Sequence, residues 1–351
     1  LEVIEMSKMR SEILSQGKVL AEAIPQQLHD AEAVRTVLGG QPIRFISLVA
    51  RGTSDHAAIY GQYLLQYANG LPAGLATPSI HTLYNKQLHM EGGLVVGISQ
   101  SGQGTDVIET IEQARAAGAS TIAITNDLSS PLAEAAQLTI GCYAGPEESV
   151  AATKTFTTSL SALVCLSQAL GAPEGLLEGF QELPEKVDAT LATLDEPLGQ
   201  FAATLKDADK LISLGRGFQQ PVAFETALKL KETCYVHAWG MSSADFLHGP
   251  IAIVEDDLPV LMFGASGPTS PMQVELLQRL QKIGANLAVF GADQNLLSNA
   301  KVAFPIGKDV AEPLLPLLTV LGGQLLSCHL AEVKGINPDK PRGLQKVTKT
   351  R

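Results

Sequence analysis

Short apolar runs rich in β-branched residues alternate with amphipathic stretches of helical length along nearly the whole chain. In the first half this pattern predicts strands at Phe45–Ala50, Gly74–Thr77, Leu94–Ile98, Thr121–Thr125 and Leu138–Cys142. Helices are expected near 54–69, 104–117 and 153–171, with turns at Gly118 and Asn126-Asp127. A second cycle predicts strands at Lys210–Leu214, Leu258–Phe263, Asn286–Phe290 and Val302–Ile306, with helices near 218–234, 271–283 and 312–333. Between the cycles, residues 173–199 hold Pro173, Pro184 and Pro197 among Glu and Leu, and read as a helical connection. Strands alternating with crossover helices are the signature of parallel sheets, so the fold class is α/β.

The two cycles look like copies. Val95-Val96-Gly97-Ile98-Ser99-Gln100-Ser101-Gly102 parallels Val260-Leu261-Met262-Phe263-Gly264-Ala265-Ser266-Gly267. Arg51-Gly52-Thr53-Ser54 parallels Gly215-Arg216-Gly217-Phe218. The hydroxyls have mostly gone from the second copy. In open α/β sheets ligands sit at the carboxyl ends of the strands, where all four turns fall. The first copy is therefore the expected anion site: free backbone N–H groups and the positive end of a helix dipole meet Ser99, Ser101 and Ser54 there. The plainer alternatives are a polar turn at 99–102 and an N-cap at Ser54.

Composition narrows the function classes. The chain has 351 residues, 45% apolar and 17% charged, enough for two domains of ordinary size. A net charge of −11 argues against nucleic acid, whose phosphates need clustered Lys and Arg. It does not argue against one small phosphate held by local donors. No apolar run reaches the roughly 20 residues of a membrane span, and no export signal opens the chain. Cys142, Cys165, Cys234 and Cys328 lie far apart without metal-ligand spacing, and read as small buried residues of a reducing, cytoplasmic protein.

Several side chains could carry chemistry. Glu225, Lys229 and Glu232 share one helix face, either as a solvated salt-bridged stripe or as an acid/base pair with its counter-ion. That helix follows a strand-end turn, so its start is expected to face the ligand. His248 lies in a loop broken by Gly249-Pro250, whereas His237 is expected to be packed. Glu147, before a polar stretch ending in Thr153-Lys154-Thr155, is either solvated surface or a ligand for sugar hydroxyls. Thr153 is a candidate cap. The polar tail at 337–348 is either plain surface or a flap whose lysine forms a Schiff base with a carbonyl substrate.

Taken in order, RGTS, SQSG, VAATKTFTT, ETALKLKE, LHGP and DKPRGLQKVT resemble the sugar isomerase (SIS) domain family over nearly the whole chain. The likeness is to the isomerase half of glucosamine-6-phosphate synthase and to stand-alone SIS-type amino-sugar-phosphate deaminases. It implies two tandem SIS domains, each a five-stranded parallel sheet flanked by helices. The expected layout is an N-terminal helical segment at 1–33, a phosphate-binding domain at 34–172, a connection at 173–200, a second domain at 201–335 and a tail at 336–351 that closes on the active site.

The resemblance also implies residue roles. Ser54, Ser99, Gln100 and Ser101 match phosphate-binding positions, and Thr53 and Val150 lie beside the sugar. Glu232 matches the carboxylate that moves a proton between C1 and C2, and Lys229 its neighbour near the ring oxygen. His248 matches the ring-opening histidine, supplied by the second subunit of a homodimer. Lys346 matches the imine-forming tail lysine, and Glu225 and Glu147 match structural or hydroxyl-binding acids. Gly104 and Ala152 depart from the synthase pattern, which has Thr and Ser there; Thr105 and the Ala152 N–H are the expected substitutes. Gly343 and Gln345 depart in the tail. The glutaminase half of the synthase, with its catalytic cysteine, has no counterpart before Cys142.

The expected activity is therefore a deaminase/isomerase converting glucosamine 6-phosphate and water to fructose 6-phosphate and ammonia, with no metal and no cofactor. The alternatives are the isomerase domain of a glutamine–fructose-6-phosphate aminotransferase, a fructosamine-phosphate deglycase, a galactosamine-phosphate deaminase, and a non-enzymatic sugar-phosphate sensor. Neither nucleic acid nor membrane is an expected partner.

Overall fold

A computed structural model describes residues 6–346, which divide into two compact units. One comprises Lys18–Glu147, Lys154–Gln181 and the residues from Gln345 onward; the other comprises the chain up to Gly17, Glu148–Thr153 and Glu182–Leu344. Each contains one five-stranded sheet.

The first sheet is made of β1 (Phe45–Val49), β2 (Ala73–Leu75), β3 (Gly93–Ser99), β4 (Ser120–Thr125) and β5 (Leu138–Gly141). All pairs are parallel and the order is β2-β1-β3-β4-β5. β3 is buried from Gly93 through Ile98, as a central strand covered on both faces must be. Val49, Val95 and Ala123 pack with Val107 and Ile111 of the helix Thr105–Ala116. The helix Lys154–Ala169 is buried along nearly its whole length and packs on the helix Thr53–Asn69. A Cβ at Gly61 would come within 2.9 Å of Leu48 and 3.0 Å of Leu163, so no larger residue lets these layers meet. Buried Gln27 donates to the carbonyls of Gly141 (3.1 Å) and Thr158 (2.9 Å) and accepts from the Ser161 hydroxyl (2.7 Å), joining β5 to two helices.

The second sheet is made of β6 (Lys210–Gly215), β7 (His237–Ser242), β8 (Pro259–Gly264), β9 (Asn286–Gly291) and β10 (Val302–Pro305), in the order β10-β9-β8-β6-β7. Counted from the first strand of each sheet, this is the order of the first sheet, so the copies seen in sequence are copies in topology. Strand β7 was not among the expected strands. It is an edge strand with Gly240 in the middle and side chains exposed on one face, so it lacks a continuous apolar run. The expectation that His237 is packed is overturned for the same reason: His237 is exposed beside Trp239. The edge strand β2 is likewise shorter than expected.

The helix Pro316–Val333 is buried from Pro316 through Ala331, so its polar side chains need internal partners. Thr319 donates to Gln219 (2.7 Å), and Gln324 accepts from Gln16 (2.8 Å). No helix among the described residues is long and apolar enough to cross a membrane. The four cysteines are free and buried. Burial pushes the thiols up, Cys142 to about 11 and Cys165 to about 12, which suppresses thiolate chemistry.

His329 sits in a polar cluster on this helix. Its Nε2 lies 2.8 Å from Asp195, which also accepts from Arg10 at 2.8 Å, while Glu332 stands off at 3.7 Å. Burial lowers the imidazole pKa, but the interactions with Glu332 and Asp195 outweigh it and the net shift is upward. The carboxyl of Asp195 is lowered by Arg10 and His329 against the cost of burial, and that of Glu332 is lowered first by His329. Stability from His329 is fully present below the ordinary imidazole value of about 6.5 and is lost as pH rises through its raised value. Stability from the two carboxylates is present above about 4 and is lost as pH falls through their lowered values. The thermal midpoint is predicted to fall between pH 6 and 9, and His329→Gln to flatten that fall by on the order of 2–4 °C in scanning calorimetry.

Candidate active site

The first sheet reverses its strand order between β1 and β3, which lie side by side with Val49 opposite Gly97. The connections from these two strands leave in opposite directions, opening a crevice at their carboxyl ends. Both hydroxyl-bearing turns stand there. After β1, Gly52 adopts φ 58° and ψ −130° and caps the helix Thr53–Asn69 without a side-chain bond. Ser54 is therefore not the N-cap; it lies one residue inside the first turn, and its hydroxyl bonds to no other described residue.

After β3, the Ser99 hydroxyl accepts from the Gly102 N–H (3.1 Å) and the Ser101 hydroxyl from the Gln103 N–H (3.3 Å). Each oxygen is thereby used as an acceptor, which leaves its proton to donate outward. Gly102 has φ 61°, and a Cβ there would fall 2.0 Å from Ser130 Oγ. Gly104 caps the helix Thr105–Ala116 with no side-chain bond, and Thr105 is the first helical residue. Two helix starts and three serine hydroxyls make a cradle for a phosphate-like anion.

The structure adds a residue that the motifs did not single out. Arg51 Nε donates to Asp106 Oδ2 at 2.6 Å; Asp106 is buried, whereas the Arg51 side chain is 54% exposed. The bond ties the two turns together and leaves the other guanidinium N–H groups free to meet an anion.

Glu147 is not solvated surface, as one reading of the sequence had it. Its side chain is fully buried, accepts from Thr155 N (3.1 Å) and Oγ1 (2.8 Å), and pairs with Lys346 Nζ at 2.6 Å. The tail lysine is thus held in this unit against a buried carboxylate that can take a proton from it.

In the second unit, Lys229 is fully buried in the helix Gln220–Cys234, 3.3 Å from Glu225 and 2.5 Å from Glu232. Glu225 is buried too; Glu232 keeps 22% of its side chain exposed. A solvated stripe is ruled out. Burial acts to lower the Lys229 pKa, but the two carboxylates reverse this and raise it well above the ordinary lysine value. Lys229 is therefore a fixed cation, and Glu232 is the member of the triad that reaches outward. The triad lies in the middle and last turns of the helix. Lys229 gives Glu232 an ion-pair partner at that end of the helix.

Val150 and Ala152 lie on a loop that Glu12 organises. The buried Glu12 carboxylate accepts from the backbone N–H groups of Glu148 and Ser149 and from the Ser149 hydroxyl. Gln324 donates to the Thr153 carbonyl at 3.2 Å. Neither Glu12 nor Gln324 has a local sequence signal, since both are more than a hundred residues from this loop. His248 follows the helix Ser243–Leu247 with its side chain exposed and without a bond to any other described residue. In the tail, Asp339 accepts from the first N–H groups of the helix Lys8–Leu14, at 2.9 Å and 2.8 Å, and Arg342 stacks 4.1 Å over Tyr235. Val347 onward lies outside the described residues. Among the described residues, no cluster has the makings of a metal site.

Known proteins are similar to this chain in sequence and fold. The glutamine–fructose-6-phosphate aminotransferases (isomerizing) of Pyrococcus horikoshii and Thermococcus kodakarensis are 34% and 36% identical to it over 343 and 348 residues. Each alignment covers 96% of this chain, which spans 57% of the length of each relative. Among solved structures, a candidate phosphosugar isomerase from Silicibacter pomeroyi superposes with a TM-score of 0.86 at 33% identity, covering 95% of this chain and all of the other. The glucosamine-6-phosphate deaminase of Thermotoga maritima shares the fold, with a TM-score of 0.76 at 23% identity and 98% coverage of this chain. Residues 43–169 and 204–333 each match the SIS domain, one match on each of the two sheets, and the chain belongs to the SIS domain family.

Proposed function

We propose that this chain catalyses aldose–ketose isomerisation of a hexose 6-phosphate, in the interconversion of fructose 6-phosphate and glucosamine 6-phosphate. The observation that carries the reading is the triad at Glu225, Lys229 and Glu232: a buried cation paired with one buried carboxylate and one that reaches outward. In this reading Ser54, Ser99, Ser101 and the helix-start amides hold the phosphate, with Gln100, Thr105 and Arg51 beside it. Thr53, Val150, Ala152 and Glu225 line the sugar. His248, from a second copy of the chain, opens the ring. Lys346 passes its proton to Glu147, and its amine condenses with the C2 carbonyl, releasing water. Ammonia then displaces the Lys346 amine from C2, leaving the ketimine of ammonia, and Glu232 takes a proton from C1 and returns it to C2 to give glucosamine 6-phosphate; the same steps in reverse release ammonia.

The source of the nitrogen separates two versions. The aminotransferase names of the relatives favour the isomerase half of such an enzyme, in which ammonia and fructose 6-phosphate give glucosamine 6-phosphate and water. The deaminase expected from the sequence is the same reaction reversed, and its support is a likeness of fold to the Thermotoga protein. Incubating the chain with fructose 6-phosphate in D2O and with glucosamine 6-phosphate in water tests both. Exchange at C1 without ammonia release favours the first version, rapid ammonia release favours the second, and absence of both sinks the proposal.

Glu232→Gln is predicted to slow C1 exchange by about 10²–10⁴-fold while leaving the melting temperature and sugar-phosphate binding near wild type. Lys229→Met, which strands two carboxylates, is predicted to cost about 3–5 kcal/mol of stability in denaturant titration. Borohydride added with fructose 6-phosphate should trap a covalent adduct, read by intact-protein mass, that Lys346→Ala abolishes. Arg51→Ala should raise KM about tenfold with little change in kcat.

A further inference from the structure

The second sheet has its own reversal of strand order, between β6 and β8, and the polarity there is inverted. Its turns, Gly215-Arg216-Gly217 and Ala265-Ser266-Gly267, correspond to the two serine-bearing turns of the first sheet. In place of hydroxyls stands the carboxylate of Glu312. One oxygen lies 2.9 Å from where a Cβ on Gly267 would sit, and the other 3.9 Å from that of Gly217. The Thr269 methyl lies 3.4 Å from the same point at Gly217. Both glycines have positive φ, 138° and 59°, so the chain is shaped to let Glu312 in.

The Glu312 side chain is half-buried, and its carboxylate makes no hydrogen bond or ion pair with any other described residue. Burial pushes its carboxyl above the ordinary carboxylate range. The Thr269 hydroxyl oxygen is buried and also without a partner. A cavity of about 290 Å³ opens here, lined by Ser266, Gln294, Lys308, Asp309 and Glu312 among others. A half-buried carboxylate without a donor disfavours an anion beside it and favours a cationic donor. What complements it is a protonated amine, with hydroxyls to match Ser266 and Gln294. The volume is at the small end of ligand pockets, roughly 300–1,000 Å³, and suits a single sugar ring.

We propose that this second reversal point is a binding site for an amino sugar, recognised through its ammonium group by Glu312 and independent of any phosphate. The inference stands apart from the catalytic reading, since none of these residues serves that reaction.

Titration calorimetry with glucosamine, in excess inorganic phosphate so that the first cradle is filled, tests it. Wild type is expected to bind glucosamine, and Glu312→Gln to bind it about tenfold more weakly or worse. A Ser99→Ala/Ser101→Ala variant is expected to bind it as wild type does, and glucose is expected not to bind. Glu312→Asp draws the charge back by one methylene and should give an intermediate loss, which keeps the test decisive if the Gln variant does not fold. Undiminished binding by both Glu312 variants, equal loss in the serine variant, or binding of glucose as tight as that of glucosamine overturns the proposal. C1 exchange measured on the same samples reports separately on catalysis.

Discussion

A parallel sheet whose strand order reverses must leave two neighbouring strands feeding helices on opposite faces, and the serine-bearing turns of this protein depend on that geometric constraint. At the reversal the carboxyl ends of the strands, the turns that follow them and the starts of two helices converge. The fold supplies this twice, between β1 and β3 and between β6 and β8. The side chains placed there then decide what is held. Serines with their oxygens already accepting from backbone N–H groups, together with Arg51 tied to Asp106, suit an anion. In the equivalent place of the second sheet stands the carboxylate of Glu312, so the same backbone plan carries different side chains at its two reversals.

The chemistry beyond anion binding rests on charges that the fold buries in company. Lys229 is out of solvent, yet remains a cation because Glu225 and Glu232 bracket it; removing either kind of partner would strand the other in a low-dielectric surrounding. Glu147 is similar, with Thr155 supplying two hydrogen bonds and Lys346 the counter-charge. Glu12 does the same structurally, gathering the N–H groups of a loop that no regular secondary structure would satisfy. Each cluster pairs a costly burial with a complete set of partners. The pairing keeps a reactive carboxylate beside a cation or a reactive amine close to a proton acceptor.

Much of the fold was readable because parallel strands buried on both faces must be apolar throughout, as β3 and β8 are. Where burial is one-sided the signal failed: β7, with His237, Trp239 and Gly240, carries no such run and was missed, and the exposure of His237 went with it. The serine-bearing turns were readable because their residue types serve the backbone locally. The face shared by Glu225, Lys229 and Glu232 was readable from helical spacing alone. Spacing is silent on what lies opposite a face, so the burial of that stripe could not be seen. Glu147 is a further instance, since a carboxylate among polar residues looks solvated until its partner arrives from the tail.

The sequence by itself determined the α/β class, the duplication, the polar turns after the first and third strands and the ionic stripe, because these follow from local periodicity and from contacts a few residues apart. Tertiary structure alone decided which of these groups are charged, donating or unpartnered. Arg51 meets Asp106, Glu12 meets Ser149, and Lys346 meets Glu147 across 55, 137 and 199 residues of chain. Glu312 reaches two glycine turns that belong to other strands. Hydrogen bonds and charge pairs act over a few ångströms of space, and only folding turns those sequence separations into such distances.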